Sequence, residues 1–384
     1  MKFLLLFLII ILCFFIVMGC KQKHSVLKDY NQTKTINYEG EKFKEIMKNV
    51  KMQQESAANI ASSDVLEILP TMDTFSEVKN QVWAGTFQLV WNDLINELLK
   101  APLEFVNYKS ITAENLNKQE FTEDELSAEV YYKKWGEALP SLKEEIENEI
   151  NRKFNEISDI LGQLQWDSTP EYRKYVLYAI LKKEFEFLEK FSTLGKDKFE
   201  GSKNLVEYFG LSDSPDYKLL RSIKVLFYED PQNFAVELNT KQGDKVYIYR
   251  NNENKTLDVL YNDMLKKSGT YKGNKKLNNA DKFKVPLIDF KTEREFPEFY
   301  YKAIKGTDFT ITKAIETIEF KMNETGVKLK SEAAVAGEEL GIPAEFFIPD
   351  PRYFNADGPF VMFIQENGHK PYFAMKVRDA AALQ

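Results

Sequence analysis

Apolar positions recur at two different intervals along this chain, and the change from one to the other falls near residue 172. Before it they follow helical spacing. Phe43, Ile46, Met47 and Val50 share one helical face. Residues 82–99 (VWAGTFQLVWNDLINELL) predict a strong helix with Phe87, Val90, Trp91, Leu94 and Leu98 pointing inward. A further helix is predicted over residues 142–164, where Ile146, Ile150, Phe154, Ile157 and Leu161 carry the same spacing. The acidic run over residues 144–149 is its solvated face.

After residue 172 the texture is that of strands. The continuous run at residues 172–191 fits either a buried strand or a helix. IKVLFY (223–228), NFAVELNT (233–240) and DKVYIYRN (244–251) are rich in β-formers, and Lys241-Gln242-Gly243 joins the last two as a hairpin. Residues 258–267 predict a short helix, and KFKVPLIDF (282–290) another strand. PFVMFIQENGHKPYFAMKV (359–377) reads as two strands around the turn Glu366-Asn367-Gly368. Helices followed by many strands predict an α+β fold.

MNETGVKLKSEAAVAG (322–337) combines a turn, a well-formed alternation and a tail of small residues. Val327, Leu329, Ser331 and Ala333 fall on one face, and Lys328, Lys330 and Glu332 on the other. Residues 332–340 also make a respectable helix, so local pattern leaves strand and helix both open.

The first twenty residues, MKFLLLFLIIILCFFIVMGC, read as a targeting segment (1–20) and stand outside fold reasoning. Val17-Met18-Gly19-Cys20 resembles a bacterial lipobox, which makes Cys20 the lipidation site; the alternative is an uncleaved membrane anchor. Either reading puts the rest of the chain at the cell membrane, facing outside the cytoplasm. Residues 21–40 are expected to be a flexible tether, and residues 41–384 one domain. Cys13 and Cys20 are the two cysteines, which leaves none for a disulfide in the mature body.

Of the 384 residues 43% are hydrophobic and 29% charged, as in a folded globular protein, and the net charge of −7 argues against general nucleic-acid binding. The two histidines, His24 and His369, do not make a triad or a multi-histidine metal site, and no glycine-rich phosphate loop occurs. No pair stands out among the 59 acidic residues. No enzyme, cofactor or metal is expected.

The residues ITKAIETIEFKMNETG (311–326) are similar to the long strand that precedes the reactive loop of serpins, with Asn323, Glu324 and Gly326 in the hinge positions. FNADGPFVMFIQENGHKPYFAMKV (354–377) resembles the serpin C-terminus, and YVLYAILKKEF (175–185) more faintly resembles another serpin strand. The resemblance runs mainly over residues 309–384. It implies N-terminal helices packed on large mixed or antiparallel β-sheets with an exposed reactive-type loop. It further implies a monomeric inhibitor of a serine or cysteine endopeptidase, working by bait-loop cleavage and strand insertion. The hinge and inserting strand would be Glu324, Gly326, Val327, Leu329, Ser331 and Ala333. The scissile bond would lie near Leu340-Gly341 or Phe346-Phe347, by counting from either end of the loop. The chain departs from the family pattern with Glu316 for a histidine, Leu177 for an asparagine and Phe185 for a tryptophan. Lys328, Leu329 and Lys330 are also bulky for a hinge. A non-inhibitory binding lipoprotein of the same fold is the alternative, and an unrelated solute-binding lipoprotein a third reading.

Overall fold

The computed structural model describes residues 65–78, 80–169, 173–328 and 350–384, all in one unit spanning residues 62–384. Cys20, the tether and the expected helical face of residues 43–50 lie outside the described residues. The chain begins with β1 (Leu66–Ile68), β2 (Asn80–Ala84), α1 (Thr86–Asp93) and α2 (Ile111–Leu116). Next come β3 (Tyr131–Glu137), α3 (Pro140–Phe154), β4 (Tyr175–Leu181), β5 (Glu184–Glu186), β6 (Ser192–Asp197) and β7 (Val206–Gly210). α4 (Tyr217–Ser222), β8 (Ile223–Asp230), β9 (Asn233–Asn239), β10 (Lys245–Arg250) and α5 (Leu257–Thr270) follow. The last strands are β11 (Lys282–Pro286), β12 (Ile288–Glu295), β13 (Ile315–Met322), β14 (Gly326–Lys328), β15 (Tyr353–Asn355), β16 (Phe360–Gln365) and β17 (Pro371–Val377).

A seven-stranded sheet of order β1-β2-β17-β16-β10-β9-β8 is the largest layer. β16 and β17 sit inside it and are buried at every position, which is why they read as continuous apolar runs rather than as an alternation. Gly368, at φ +87°, makes the turn between them, and Gly243, at φ +94°, serves the β9–β10 hairpin. A second sheet has the order β15-β11-β7-β6, a third β12-β13-β14-β5, and β3 pairs with β4. The β1–β2 and β11–β15 pairs are parallel and the rest antiparallel, so the sheets are mixed. The expected α+β fold is present. Among the described residues no helix is long and apolar enough to cross a membrane.

Three predicted elements are cut differently by the fold. The helix expected over residues 82–99 is shortened, because Val82 to Ala84 belong to β2 and pair with β17. Gly85 breaks the strand where the Phe121 ring lies so close that a Cβ would clash with it. α1 then runs only to Asp93 before a wider π-helical turn at Leu94–Leu98. The helix expected over residues 142–164 ends at Phe154, because Asn155 takes the left-handed conformation (φ 53°) and donates its N–H to the Asn151 carbonyl. Leu142, Ile146, Ile150 and Phe154 face inward as expected, but Ile157 is 82% exposed. The strand expected over residues 282–290 is two strands in two sheets. Pro286 pairs with Tyr208, whereas Ile288 pairs with Met322. The ambiguous run after residue 172 becomes strand, as β4 and β5.

The inner face of β13 packs on the largest sheet, where Phe320 stacks on Phe373 of β17 with centroids 4.5 Å apart. Both rings are buried in the main core. Truncating Phe320 would leave a cavity between two sheets that share no backbone ladder. Phe320→Ala is therefore expected to cost about 3–5 kcal/mol, read as a lower urea midpoint with an unchanged slope.

Candidate functional site

The join between β13 and the β4–β5 segment forms a seam, bridged by the short strand β14. β12 and β13 pair over eight residues, from Ile288↔Met322 to Glu295↔Ile315. β3 and β4 pair over seven, from Tyr131↔Leu181 to Glu137↔Tyr175. Among the described residues no ladder joins β4 to β13 directly. The two halves meet through β14, which pairs with β13 on one side (Lys321↔Lys328, Met322↔Val327) and with β5 on the other. The β5 pairs are Gly326↔Glu186, Val327↔Phe185 and Lys328↔Glu184.

The turn that delivers β14 is specified by side chains. Asn323 Oδ1 accepts from the backbone N–H of Thr325 (2.9 Å) and Gly326 (3.3 Å), while its own N–H donates to the Gly326 carbonyl (3.0 Å). This is asparagine turn chemistry, at a place the sequence marks as a turn. The carbonyls of Glu324 and Thr325 accept from Phe191 and Phe187, both at 2.9 Å. The Glu324 carboxylate lies 3.6 Å from Lys190 at the surface. Gly326 is required by proximity, since a Cβ there would collide with the Phe185 carbonyl. Val327 is 1% exposed and enters the core beside Phe185 and Met322.

Of the expected hinge and inserting residues, the fold thus brings Glu324, Gly326 and Val327 to the seam. Leu329, Ser331, Ala333 and the bait residues Leu340, Gly341, Phe346 and Phe347 lie outside the described residues. Leu177 packs on the main core from β4, and Phe185 is buried there on β5.

Glu316 is the charged member of an otherwise apolar inner face, Glu316, Ile318, Phe320 and Met322 of β13. It meets the start of α1. Its Oε1 accepts from Thr86 Oγ1 at 2.6 Å, the Phe87 N–H also donates to the carboxyl, and Oε2 has no hydrogen-bond partner. Arg294 is opposite in the ladder, but its Nη1 is bonded to Glu67 and the Ile68 carbonyl, each at 2.6 Å. Burial pushes the Glu316 carboxyl up to about 8 against the smaller opposing pull of those hydrogen bonds and of Arg294. At neutral pH it is a buried neutral acid. α1 packs against β4 as well, so one helix underlies both lips of the seam.

Sequence reasoning missed Lys183, between β4 and β5. It is buried with its Nζ 2.8 Å from Asp244 and 2.7 Å from Glu366, and Tyr372 donates to the same Asp244 oxygen at 3.0 Å. This network ties the β4–β5 junction to the large sheet. Its partners are far apart along the chain, so no local pattern announces it. Among the described residues no group of three or more His, Cys, Asp or Glu is placed to hold a metal ion. What the described residues show here is a short strand, β14, paired with β13 on one side and β5 on the other.

The folded protein keeps the Glu316 proton up to about pH 8, whereas the unfolded chain releases it near 4.5. Between those values the folded state binds more protons. The stability associated with this group is therefore full below about pH 4.5 and lost as pH rises toward 8. Glu316→Gln carries no such loss. Its advantage over the parent in chemical unfolding should grow between pH 5 and pH 8, with a limiting slope of about 1.4 kcal/mol per pH unit. A difference constant across that window would assign the charge to another state of the group.

No family model matches the sequence, and no curated protein matches it. Solved structures do. Tengpin, a thermophilic serpin in its native state, is 14% identical, with 80% of this chain and 90% of that one covered and a TM-score of 0.49. Thyroxine-binding globulin in complex with thyroxine is 15% identical, with 62% and 64% covered and a TM-score of 0.39. A serpin from Schistosoma mansoni is 17% identical, with 62% and 63% covered and a TM-score of 0.35. The chain spans less than two thirds of the length of the latter two. Two of these three structures, tengpin and the Schistosoma mansoni protein, are described as serpins.

Proposed function

We propose that this chain is a serpin-like protease inhibitor, held at the outer face of the bacterial cell membrane by lipid on Cys20, which acts by bait-loop cleavage and strand insertion. The observation that supports this reading is the placement of β14 between β13 and β5, at the head of the seam between β13 and β4. A protease of the serine or cysteine class would cut within residues 340–347. The freed segment would then continue the strand that β14 begins.

The two existing registers say where each residue would go. Stepping on from Lys321↔Lys328 sets Leu329 beside Phe320, Ser331 beside Ile318 and Ala333 beside Glu316. Stepping on from Lys328↔Glu184 sets Ser331 beside Leu181, Ala333 beside Ala179 and Val335 beside Leu177. Leu177, Ala179 and Leu181 are the β4 residues that pack on the main core, so both lips present the same face to the same loop residues. A small residue at 333 suits the place between Ala179 and the buried acid. Burying Leu329 would contribute about 1.5–3 kcal/mol, and each ladder hydrogen bond about 0.5–1.5 kcal/mol.

The test is thermal unfolding of the chain without its first twenty residues, before and after nicking between residues 335 and 347. Ten new ladder bonds at about 1 kcal/mol each, and about 2–4 °C per kcal/mol, give an expected rise of roughly 20 °C or more. Ala333→Arg, which would drive a charge into the seam, should abolish the rise. Incubation with serine and cysteine proteases should yield a complex that survives denaturation. An unchanged or lower midpoint, with no such complex, would overturn inhibition and leave a binding lipoprotein of the same fold.

A further inference from the structure

A cavity of about 160 Å³ lies where the ends of β2, α1 and α2 approach α5 and the start of β17, apart from the seam. Its walls combine the apolar surfaces of Met72, Trp83, Phe121 and Tyr261 with the polar side chains of Thr71, Gln88 and Asn115. Trp83 and Phe121 meet edge to face, with centroids 5.5 Å apart. They are 3% exposed each, and the wall is held from behind by the main core. The tryptophan indole N–H is buried with no hydrogen-bond partner. A dry cavity of about 150 Å³ is known to hold one benzene ring, so this one is the size of a single aromatic group.

The rim is charged. Asp73, Glu120 and Asp258 stand there with Lys370. Lys118 pairs with Asp73 at 2.7 Å and acts at longer range on Glu120 and Asp258, so the rim sets three carboxylates against two ammonium groups. The Lys370 ammonium donates to the Glu120 backbone carbonyl at 2.7 Å and lies 4.0 Å from Glu125, outside the rim. Asp258 accepts from the side-chain amide of Asn262 at 3.0 Å, a neutral partner. Carboxylates therefore outnumber ammonium groups around an aromatic pocket. A cation one or two methylenes from a ring would put its charge among these carboxylates, while the ring fills the apolar interior.

We propose that this cavity is a binding site for a small primary arylalkylamine, its ring between Trp83, Phe121 and Tyr261 and its ammonium beside Asp258 and Glu120. The site is independent of loop insertion and stands whether or not the protein inhibits a protease.

Phenethylamine is the probe, titrated calorimetrically into the full-length chain, with phenethyl alcohol and phenylacetate as the neutral and anionic counterparts. One equivalent of phenethylamine should bind, about two- to fivefold tighter than the alcohol, and phenylacetate should not bind detectably. Asp258→Asn should bring the amine down to the affinity of the alcohol. Asn262→Trp, a substitution at an exposed rim position, should block the amine and the alcohol without lowering the unfolding midpoint. Absence of saturable amine binding, equal binding of amine and phenylacetate, or an Asn262→Trp variant that binds like the parent would each overturn the proposal.

Discussion

Three residues, Gly326 to Lys328, form hydrogen-bonded ladders to β13 on one side and to β5 on the other, and the join between the two halves of the sheet rests on them. Backbone N–H and C=O groups at a strand edge must be paired or solvated. β14 meets that demand for the ends of both strands at once. Two features keep it in place, the Asn323 side chain folding the turn and the missing Cβ at Gly326 letting β14 and β5 approach closely. Val327 then drops into the core between two buried partners. β14 is thus a short strand paired on both sides, and the pairing continues to Lys328.

The seam is bounded by two different answers to the cost of burying charge. At the β4–β5 junction Lys183 is paired with two carboxylates and stays an ion within a bonded network. Under β13, Glu316 has no cation of its own, since Arg294 is committed to Glu67 and the Ile68 carbonyl. It avoids the penalty by remaining protonated, with Thr86 and the N–H of Phe87 to hold it. One lip of the seam is pinned to the large sheet electrostatically, whereas the other rests on α1 through a single neutral acid. α1 also carries Gln88, three-hundredths exposed, in the wall of the aromatic cavity. The same short helix thus bears on the seam and on the cavity.

Much of the architecture was legible along the chain. The β9–β10 and β16–β17 hairpins and the inner face of α3 were readable, because each is set by period and turn chemistry within a dozen or so residues, whereas β13 was expected only from its resemblance to a serpin strand. The misreadings have a common cause. Val82 to Ala84 suit a helix or a strand equally, and pairing with β17 decides for strand. Ile157 keeps the helical interval of α3, but the left-handed Asn155 has already turned the chain away. Leu287 sits in an unbroken run, yet its two neighbours join different sheets.

The sequence by itself determined the turn at Asn323 to Gly326 and the face on which Val327 lies, because these depend on local geometry and residue type. Only the tertiary structure decided that β14 would lie between β13 and β5, that Lys183 would find Asp244 and Glu366, and that Glu316 would be a neutral acid under α1. Those are matters of distance in space and exclusion of water, and neither is written in the spacing of residues along a chain.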